Sequence, residues 1–341
     1  MSKNAEISAR SPRHYPGSIE LKEGTGPITA MCPCGSFLEI FKVDRTFRIQ
    51  TPESVDPEET NPNAPWVSTP VSNYGSANLT VARVLLQSKE MLSSASFDGT
   101  VDKEAVLQHM HSCKEVLLAC ETLSDRVTSG ISKLTNQIEE RGIPRDNGGR
   151  GFNPFPHVEG LELDCGAFLV QINRAVKLVC ELPTLFFDLE RPDSNFDHLA
   201  TRLAKHVGED TPLTRFVRAH ADRVRYIAEL RNYHEHPREI RTVIKNFHAL
   251  PSGDICEPTW QMVGEPGSQA MSVKEEIVAA TEFVRSLAEV LFLHLLMHQL
   301  VDDFPFIVTE IEESERDSAV PIRYRLALDF SQIHVSSAPY G

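Results

Sequence analysis

The sequence predicts a mainly helical protein: a helical bundle with a short β-hairpin near each end of the chain. Between residues 78 and 300, apolar residues recur over long stretches at three- and four-residue steps, the period of an amphipathic helix. Shorter segments near both ends alternate apolar and polar residues, the period of a strand. A chain of 341 residues, 41% hydrophobic, can bury the core of two domains, or of one domain with appendages.

Residues 1–77 are predicted to form an N-terminal extension. Residues 1–30 are polar and rich in glycine and proline, and the segment from Phe37 to Ile49 then alternates on either side of Asp44-Arg45, which predicts a hairpin. Residues 51–76 contain many prolines, serines, threonines and asparagines. Proline disfavours a helix there, so a loop is expected.

Residues 78–301 are predicted to form the helical bundle. The expected helices begin near Leu79 and then run from Val101 to Glu140, Leu161 to Phe187, Phe196 to His236 with a break near Gly208 to Pro212, and Ser272 to Leu300. Glycine-rich residues 142–156, the segment Arg191-Pro192-Asp193-Ser194 and turn-rich residues 247–267 separate them. Residues 302–341 are expected to form a C-terminal hairpin, Phe304 to Ile311 with Val320 to Phe330, and a tail.

Charge and cysteine content limit the classes of function. Lysine and arginine total 34 against 48 aspartate and glutamate, a net charge of -14, so any nucleic acid would have to bind at a local basic site. The seven cysteines are odd in number and scattered, which favours reduced thiols over a disulfide framework. The N-terminus lacks a signal-peptide core and charges interrupt the most apolar stretches, so we expect a cytoplasmic protein that does not cross a membrane.

The segment Arg231-Asn232-Tyr233-His234-Glu235-His236-Pro237 contains the chemistry that stands out in this chain. Arginine stays charged at physiological pH and can hold a phosphate, whereas histidine can transfer a proton near neutral pH. Pro237 disfavours helical continuation, so the segment is predicted to lie at a helix end. The sequence contains no Gly-rich phosphate loop and no serine-hydrolase elbow.

The spacing of Arg231, Asn232 and His236 resembles the motif of the HEPN superfamily, helical bundles that include many metal-independent ribonucleases. The resemblance covers residues 161–300, or 78–300 if the first helices belong to the bundle. It implies a homodimer in which the motifs of two protomers meet. It also implies RNA as substrate and a neutralising protein partner, as in toxin–antitoxin or defence systems. Many catalytic members have a tyrosine two places after the histidine, where this chain has Arg238.

Cleavage of RNA without a metal needs a group that stabilises phosphate charge and groups that move protons. In this interpretation Arg231 holds the phosphate, His236 is the general acid or base, and Asn232 orients either group. On a straight helix Arg231 and His236 would point roughly 140° apart, whereas Arg231 would face His234 and Glu235. A site shared across a dimer would resolve that conflict.

Further basic residues surround the motif and are candidates for substrate binding. Residues 215–241 contain seven arginines against four acidic residues, a local balance of +3. Arg218 and Arg225 share a helical face and could follow a nucleic-acid backbone, and His234 and Arg238 flank the catalytic candidates. The alternative for these arginines is a solvated face balanced by acidic neighbours.

No cofactor and no metal are expected. Cys32-Pro-Cys34 could begin a zinc site, but a second close pair is missing from the sequence. His294 and His298 lack the glutamate of a zincin, and His109 and His111 are interpreted as structural. The competing function is a non-catalytic helical interaction or scaffold protein, in which Arg231 pairs with Glu235 and the motif stabilises a helix end.

Overall fold

The fold is mixed α/β, so the prediction of a mainly helical bundle was wrong. The resemblance of the motif to that of the HEPN superfamily stays a prediction. The computed structural model describes residue 13 and residues 18–97, 99, 101–146, 148–149, 151–189, 195–301 and 306–328. About 51% of the described residues are helical and 17% are in strands. The described residues form four small antiparallel sheets, one of them with four strands.

The error came from segments that the sequence pattern assigned to loops. Residues 51–76 contain the short helix α1 (Pro52–Val55) and the strand β4 (Val67–Ser72). Residues 247–267 contain short strands, which a search for helical periodicity does not detect. Val67–Ser72 contains a proline and only two other apolar residues, and three of the strands between residues 241 and 272 contain two residues each, so neither shows a period-two pattern.

The described residues divide into two compact units. The first comprises the described residues within Met1–Ser96, Lys103–His111 and Asp302–Gly341, and the second comprises those within Phe97–Asp102 and Ser112–Val301. The division into residues 1–77, 78–301 and 302–341 made from the sequence stays a prediction.

A four-stranded antiparallel sheet organises the first unit. Its strands follow chain order: β1 (Ala30–Cys34), β2 (Phe37–Phe41), β3 (Thr46–Gln50) and β4. The predicted hairpin around Asp44-Arg45 is the β2–β3 pair, in which Glu39 lies opposite Arg48. The predicted C-terminal hairpin is β10 (Phe306–Glu310) with β11 (Tyr324–Leu328), whereas residues 302–305 and 329–341 lie outside the described part.

Helical segments cover part of the first unit. A π-helical turn, Val81–Leu86, continues into α2 (Gln87–Ser94), and both are largely buried. The side-chain Oε1 of Gln87 accepts hydrogen bonds from the backbone N–H groups of Arg323 and Tyr324, at 2.8 and 2.7 Å. This buried amide therefore ties the C-terminal hairpin to α2.

The second unit is built on long helices. α3 (Lys103–Arg141) supplies Ser112 onward to this unit, and α4 (Leu161–Glu181), α5 (Phe196–Val207), α6 (Pro212–Glu235) and α7 (Val273–Gln299) complete it. Helix α6 packs against α4, α5 and α7. Buried apolar residues of these helices form the core, among them Phe168, Ile172, Phe196, Val217, Val224, Leu291 and Phe292.

The helix ends follow local capping chemistry. Thr211 accepts a hydrogen bond from the N–H of Thr214 and Pro212 occupies the first turn of α6, both typical of a helix start. Ser272 caps α7 in the same way, through the N–H of Glu275.

Helix α6 ends at Glu235, and His236 is its C-cap with non-helical angles, φ -127° and ψ 60°. The predicted end of α6 at the motif is therefore confirmed. The end predicted near Glu140 is also confirmed, because α3 (Lys103–Arg141) ends one residue later.

Short strands join the helices of the second unit. β5 (Arg241–Lys245) pairs with β8 (Thr259–Val263), and β8 pairs with β9 (Met271–Ser272). β6 (His248–Ala249) pairs with β7 (Ile255–Cys256) within the residues that the sequence predicts to be rich in turns. Trp260 on β8 is almost fully buried, so this small sheet has its own apolar contacts.

Among the described helices, none is both long and apolar enough to cross a membrane.

Strand β5 is attached to the end of α6 by one buried hydrogen bond. The hydroxyl of Thr242 donates to the carbonyl of Leu230 at 2.8 Å. We expect Thr242→Val to lower the free energy of unfolding by about 1 kcal/mol, because the isosteric change removes this bond without a cavity. Urea unfolding measures the difference. Thr259→Val, on the partner strand, is the matched control, and an equal loss in both variants would contradict this role for Thr242.

Two histidines lie among aromatic rings between α6 and α7. The ring of Phe216 is 4.5 Å from that of His220 and 5.0 Å from that of His294, centroid to centroid. Burial lowers the pKa of His294 below its ordinary value, and the neighbouring His220 lowers it further. The contact between the rings of Phe216 and His294 shows that His294 takes part in the packing of α7 against α6.

This lowered pKa makes stability depend on pH. The unfolded chain binds a proton at His294 near pH 6.5, whereas the folded chain resists it, so the unfolded state takes up more protons as the pH falls. We expect the free energy of unfolding to be smaller at about pH 5.5 than at about pH 8, and this slope to be shallower in His294→Gln. Thermal unfolding across pH tests it, with exposed His198→Gln as control. An unchanged slope in His294→Gln would contradict the assignment.

Candidate functional site

The motif occupies the last turn of α6 and the residues that follow it. The guanidinium of Arg231 donates from Nη1 to Asn232 Oδ1 at 3.0 Å and forms an ion pair with Glu235 through Nη2. The Arg231 side chain is 24% exposed, whereas Asn232 and His236 are exposed. The Nε atom of Arg231 is buried and has no hydrogen-bond partner among the described residues. Arg231 therefore reaches the surface with its charge already balanced.

Arg231, Asn232 and His236 line one open cleft of about 820 Å³, with Tyr233 and residues 238–240. On a straight helix, Arg231 and His236 would point to different sides of the helix axis. They share a cleft because α6 stops at Glu235 and the backbone of His236 leaves the helical path. The structure therefore brings both side chains to one cleft within a single chain.

The segment after Pro237 forms the remaining wall of the cleft. Arg238 and Glu239 are both exposed there, and the N–H of Arg238 donates to the carbonyl of Ile240 at 3.2 Å. Gly264, at φ +95°, lies so close that a Cβ there would be 2.4 Å from the carbonyl oxygen of Glu239. A larger residue at 264 would displace this wall, because the atom it meets is backbone.

His234 lines a different cavity, of about 690 Å³, together with Glu235, His157, Glu162 and Asn246. Its imidazole lies against α4 at Gly166, where an added Cβ would be 2.6 Å from His234 Nε2. The structure therefore separates His234, a predicted substrate-binding residue, from Arg231 and His236. Sequence reasoning missed the other residues of this cavity, since they are distant in the chain and belong to no short motif.

The predicted arginine track along α6 is engaged with carboxylates. Arg218 donates to Glu209 Oε1 at 2.9 Å, and Arg225 donates to both oxygens of Asp197 and to Asp222. The hydrogen bonds that Arg225 donates to the Asp197 carboxylate are the main reason that the pKa of Arg225 is raised. The pairs are solvent-exposed and so contribute little to stability. Of the four predicted substrate-binding residues, the structure brings Arg238 to the cleft of Arg231 and His236.

A second group of reactive side chains lies in the first unit. Cys34, Glu39 and His111 are all buried, and their ligand atoms lie within 4.8 Å of one another. The sequence predicts no metal site at Cys34, because a second close cysteine pair is missing, and it predicts a structural role for His111. Only pairing of β1 with β2 and packing of α3 bring the three together.

Comparison of this chain with family models, with curated proteins and with solved structures found no match.

Asn246 fixes the wall of the cavity that contains His234. Its side chain accepts from the N–H groups of Val158 and Phe247, at 3.0 and 2.9 Å, and donates to the carbonyl of Val158 at 2.8 Å. We expect Asn246→Ala to lower the free energy of unfolding by about 2 kcal/mol, because three backbone groups lose their partner. Chemical denaturation measures this. Exposed Asn232→Ala is the control, with a change within about 0.5 kcal/mol; comparable losses would refute the specific role of Asn246.

Proposed function

We propose that the cleft of Arg231, Asn232 and His236 binds an RNA phosphate and cleaves the strand without a metal ion. The observation that carries the proposal is that a guanidinium and an imidazole line one solvent-open cleft. The resemblance of the motif to that of HEPN ribonucleases supports the choice of RNA. The 2'-hydroxyl supplies the nucleophile that DNA lacks.

The proposed reaction is a transesterification. The 2'-oxygen attacks the adjacent phosphorus as its proton leaves, the bond from phosphorus to the 5'-oxygen breaks, and that oxygen takes up a proton. The products are a 2',3'-cyclic phosphate and a free 5'-hydroxyl. His236 performs one proton transfer, and Arg231 stabilises the charge that gathers on the phosphate. His236 of a second copy of the chain performs the other transfer, in a homodimer.

The ion pair between Arg231 and Glu235 sets a condition on this function. A phosphate that binds Arg231 competes with the Glu235 carboxylate for the same donors. Both side chains are partly exposed, so water screens the pair and its replacement costs little. Arg238 adds an exposed positive charge on the same cleft, which favours an anion despite the net charge of -14.

The second candidate function is a non-catalytic interaction protein. The ion pair between Arg231 and Glu235 favours it, since such a pair stabilises a helix end without any ligand. Pro237 and Arg238 in place of a motif tyrosine also favour it. In this alternative the cleft contacts a protein partner, and RNA is neither bound nor cut.

The test is cleavage of a structured RNA by the full chain in EDTA. We expect His236→Ala to reduce the rate by about 10²- to 10⁴-fold and Arg231→Ala by about 10²- to 10³-fold. His198→Ala and Arg126→Ala are matched controls: His198 is exposed on a helix, and Arg126 is an exposed arginine paired with Asp164. Glu235→Gln is expected to tighten RNA binding, because the competing carboxylate is neutralised.

The outcomes separate the two candidates. Equal cleavage by His236→Ala and the parent would remove the catalytic assignment. RNA binding that weakens in Arg231→Ala without any cleavage by the parent would leave an RNA-binding module. A parent chain that neither binds nor cuts RNA would favour the interaction protein. Sedimentation of the parent as a monomer under assay conditions would contradict the shared proton transfer.

A further inference from the structure

A buried cluster of three metal-ligating side chains lies in the first unit. Cys34 ends β1, Glu39 is the central residue of β2, and His111 belongs to the N-terminal turns of α3. Cys34 is 2% exposed, Glu39 is fully buried and His111 is 4% exposed. A carboxylate and an imidazole are costly to bury unless charge or hydrogen bonding compensates them.

The sheet places these side chains together. In β1 and β2 the buried residues alternate with more exposed ones, and Cys32 lies directly opposite Glu39. Alternation puts Cys32 and Cys34 on the same face as Glu39. His111 on α3 approaches that face and places its imidazole edge-on to Phe37, with centroids 5.9 Å apart.

The contact between His111 and Glu39 is close but poorly aligned. His111 Nε2 lies 3.0 Å from Glu39 Oε1, an ion-pair distance, yet its ring N–H geometry does not meet the requirement for a hydrogen bond. A nitrogen that close to a carboxylate without a directed bond suits two ligands of a shared cation. Ligands about 2.0–2.3 Å from a tetrahedral ion lie roughly 3.3–3.6 Å apart, so these two ligand atoms would have to separate by about 0.3–0.6 Å to hold one.

Arg48 holds the carboxylate in place. Its Nε and Nη2 both donate to Glu39 Oε1 at 3.1 Å, and its guanidinium lies 4.5 Å from the centre of the Phe37 ring. Such a partner orients a ligating carboxylate, as in known metal centres. The Arg48 side chain is 30% exposed, so solvent reduces its repulsion of a bound cation.

We propose that Cys34, Glu39 and His111 form a binding site for a transition-metal ion of the zinc class. One thiolate, one imidazole and one carboxylate are donors that zinc accepts, whereas magnesium and calcium prefer oxygen alone. Three protein ligands leave the fourth position of a tetrahedral ion for water or another small ligand. On binding, Cys34 gives its thiol proton to solvent, and the thiolate becomes the ligand.

The competing interpretation is a metal-free charge network in which Arg48 and Glu39 stabilise the position of α3. It differs in one chemical respect, because it gives the Cys34 sulfur no essential role. Replacing the sulfur therefore distinguishes the two. The site lies in the first unit and the motif in the second, so this proposal does not depend on the ribonuclease.

The test uses the metal-free full chain titrated with Co²⁺ and then with Zn²⁺ as competitor. We expect about one Co²⁺ per chain, a sulfur-to-cobalt absorption band in the near ultraviolet, release of about one proton per ion, and loss of the band when Zn²⁺ displaces Co²⁺. Cys34→Ser is expected to abolish the band, and His111→Ala and Glu39→Gln to weaken binding at least 10-fold. Cys32→Ala, an equally buried cysteine on the same face, is the matched control and should retain the band.

Several results would overturn the proposal: no stoichiometric Co²⁺ binding by the parent, a band that persists in Cys34→Ser, or its equal loss in Cys32→Ala. Circular dichroism checks that each variant is folded. If the variants do not fold, X-ray absorption of the zinc-loaded parent decides. One sulfur with nitrogen and oxygen neighbours supports the site, and a shell without sulfur refutes it.

Discussion

The geometry of the motif depends on the point at which α6 ends. Pro237 lacks a backbone donor and restricts the residue before it, so the helix stops at Glu235 and His236 takes non-helical angles. That departure carries the imidazole of His236 to the cleft that Arg231 also lines. The hydroxyl of Thr242 then attaches β5 to the last turns of the helix. A helix one turn longer would separate the two side chains.

Charge balance is the second constraint on this site. Most arginines along α6 that the structure describes near the motif have a carboxylate within reach, and Arg231 itself pairs with Glu235. In an acidic chain this pairing balances the charge of most arginines along α6, so the proposed anion site is confined to the cleft that Arg231 and the exposed Arg238 line. A nucleic acid could therefore be held at one or two phosphates and not along an extended track.

Sequence reasoning succeeded for the helices and for the two hairpins in which apolar and polar residues alternate on both sides of a polar loop. It failed for β1, β4 and the short strands between residues 241 and 272, and for that reason the prediction of a mainly helical bundle with a short hairpin near each end was wrong. The helices are long enough to repeat their apolar period many times, whereas β6, β7 and β9 contain two residues each. Their pairing depends on partners elsewhere in the chain, as with Trp260 opposite Ile244.

The sequence by itself determined the local features: the capped starts of α6 and α7, the end of α6 before Pro237, and the acidic balance of the chain. These depend on residues only a few positions apart. Tertiary structure alone decided that Arg231 and His236 share a cleft, that His234 faces a different cavity, and that Cys34 and Glu39 meet His111. Each of those outcomes requires a backbone turn or a long-range contact whose geometry no residue spacing encodes.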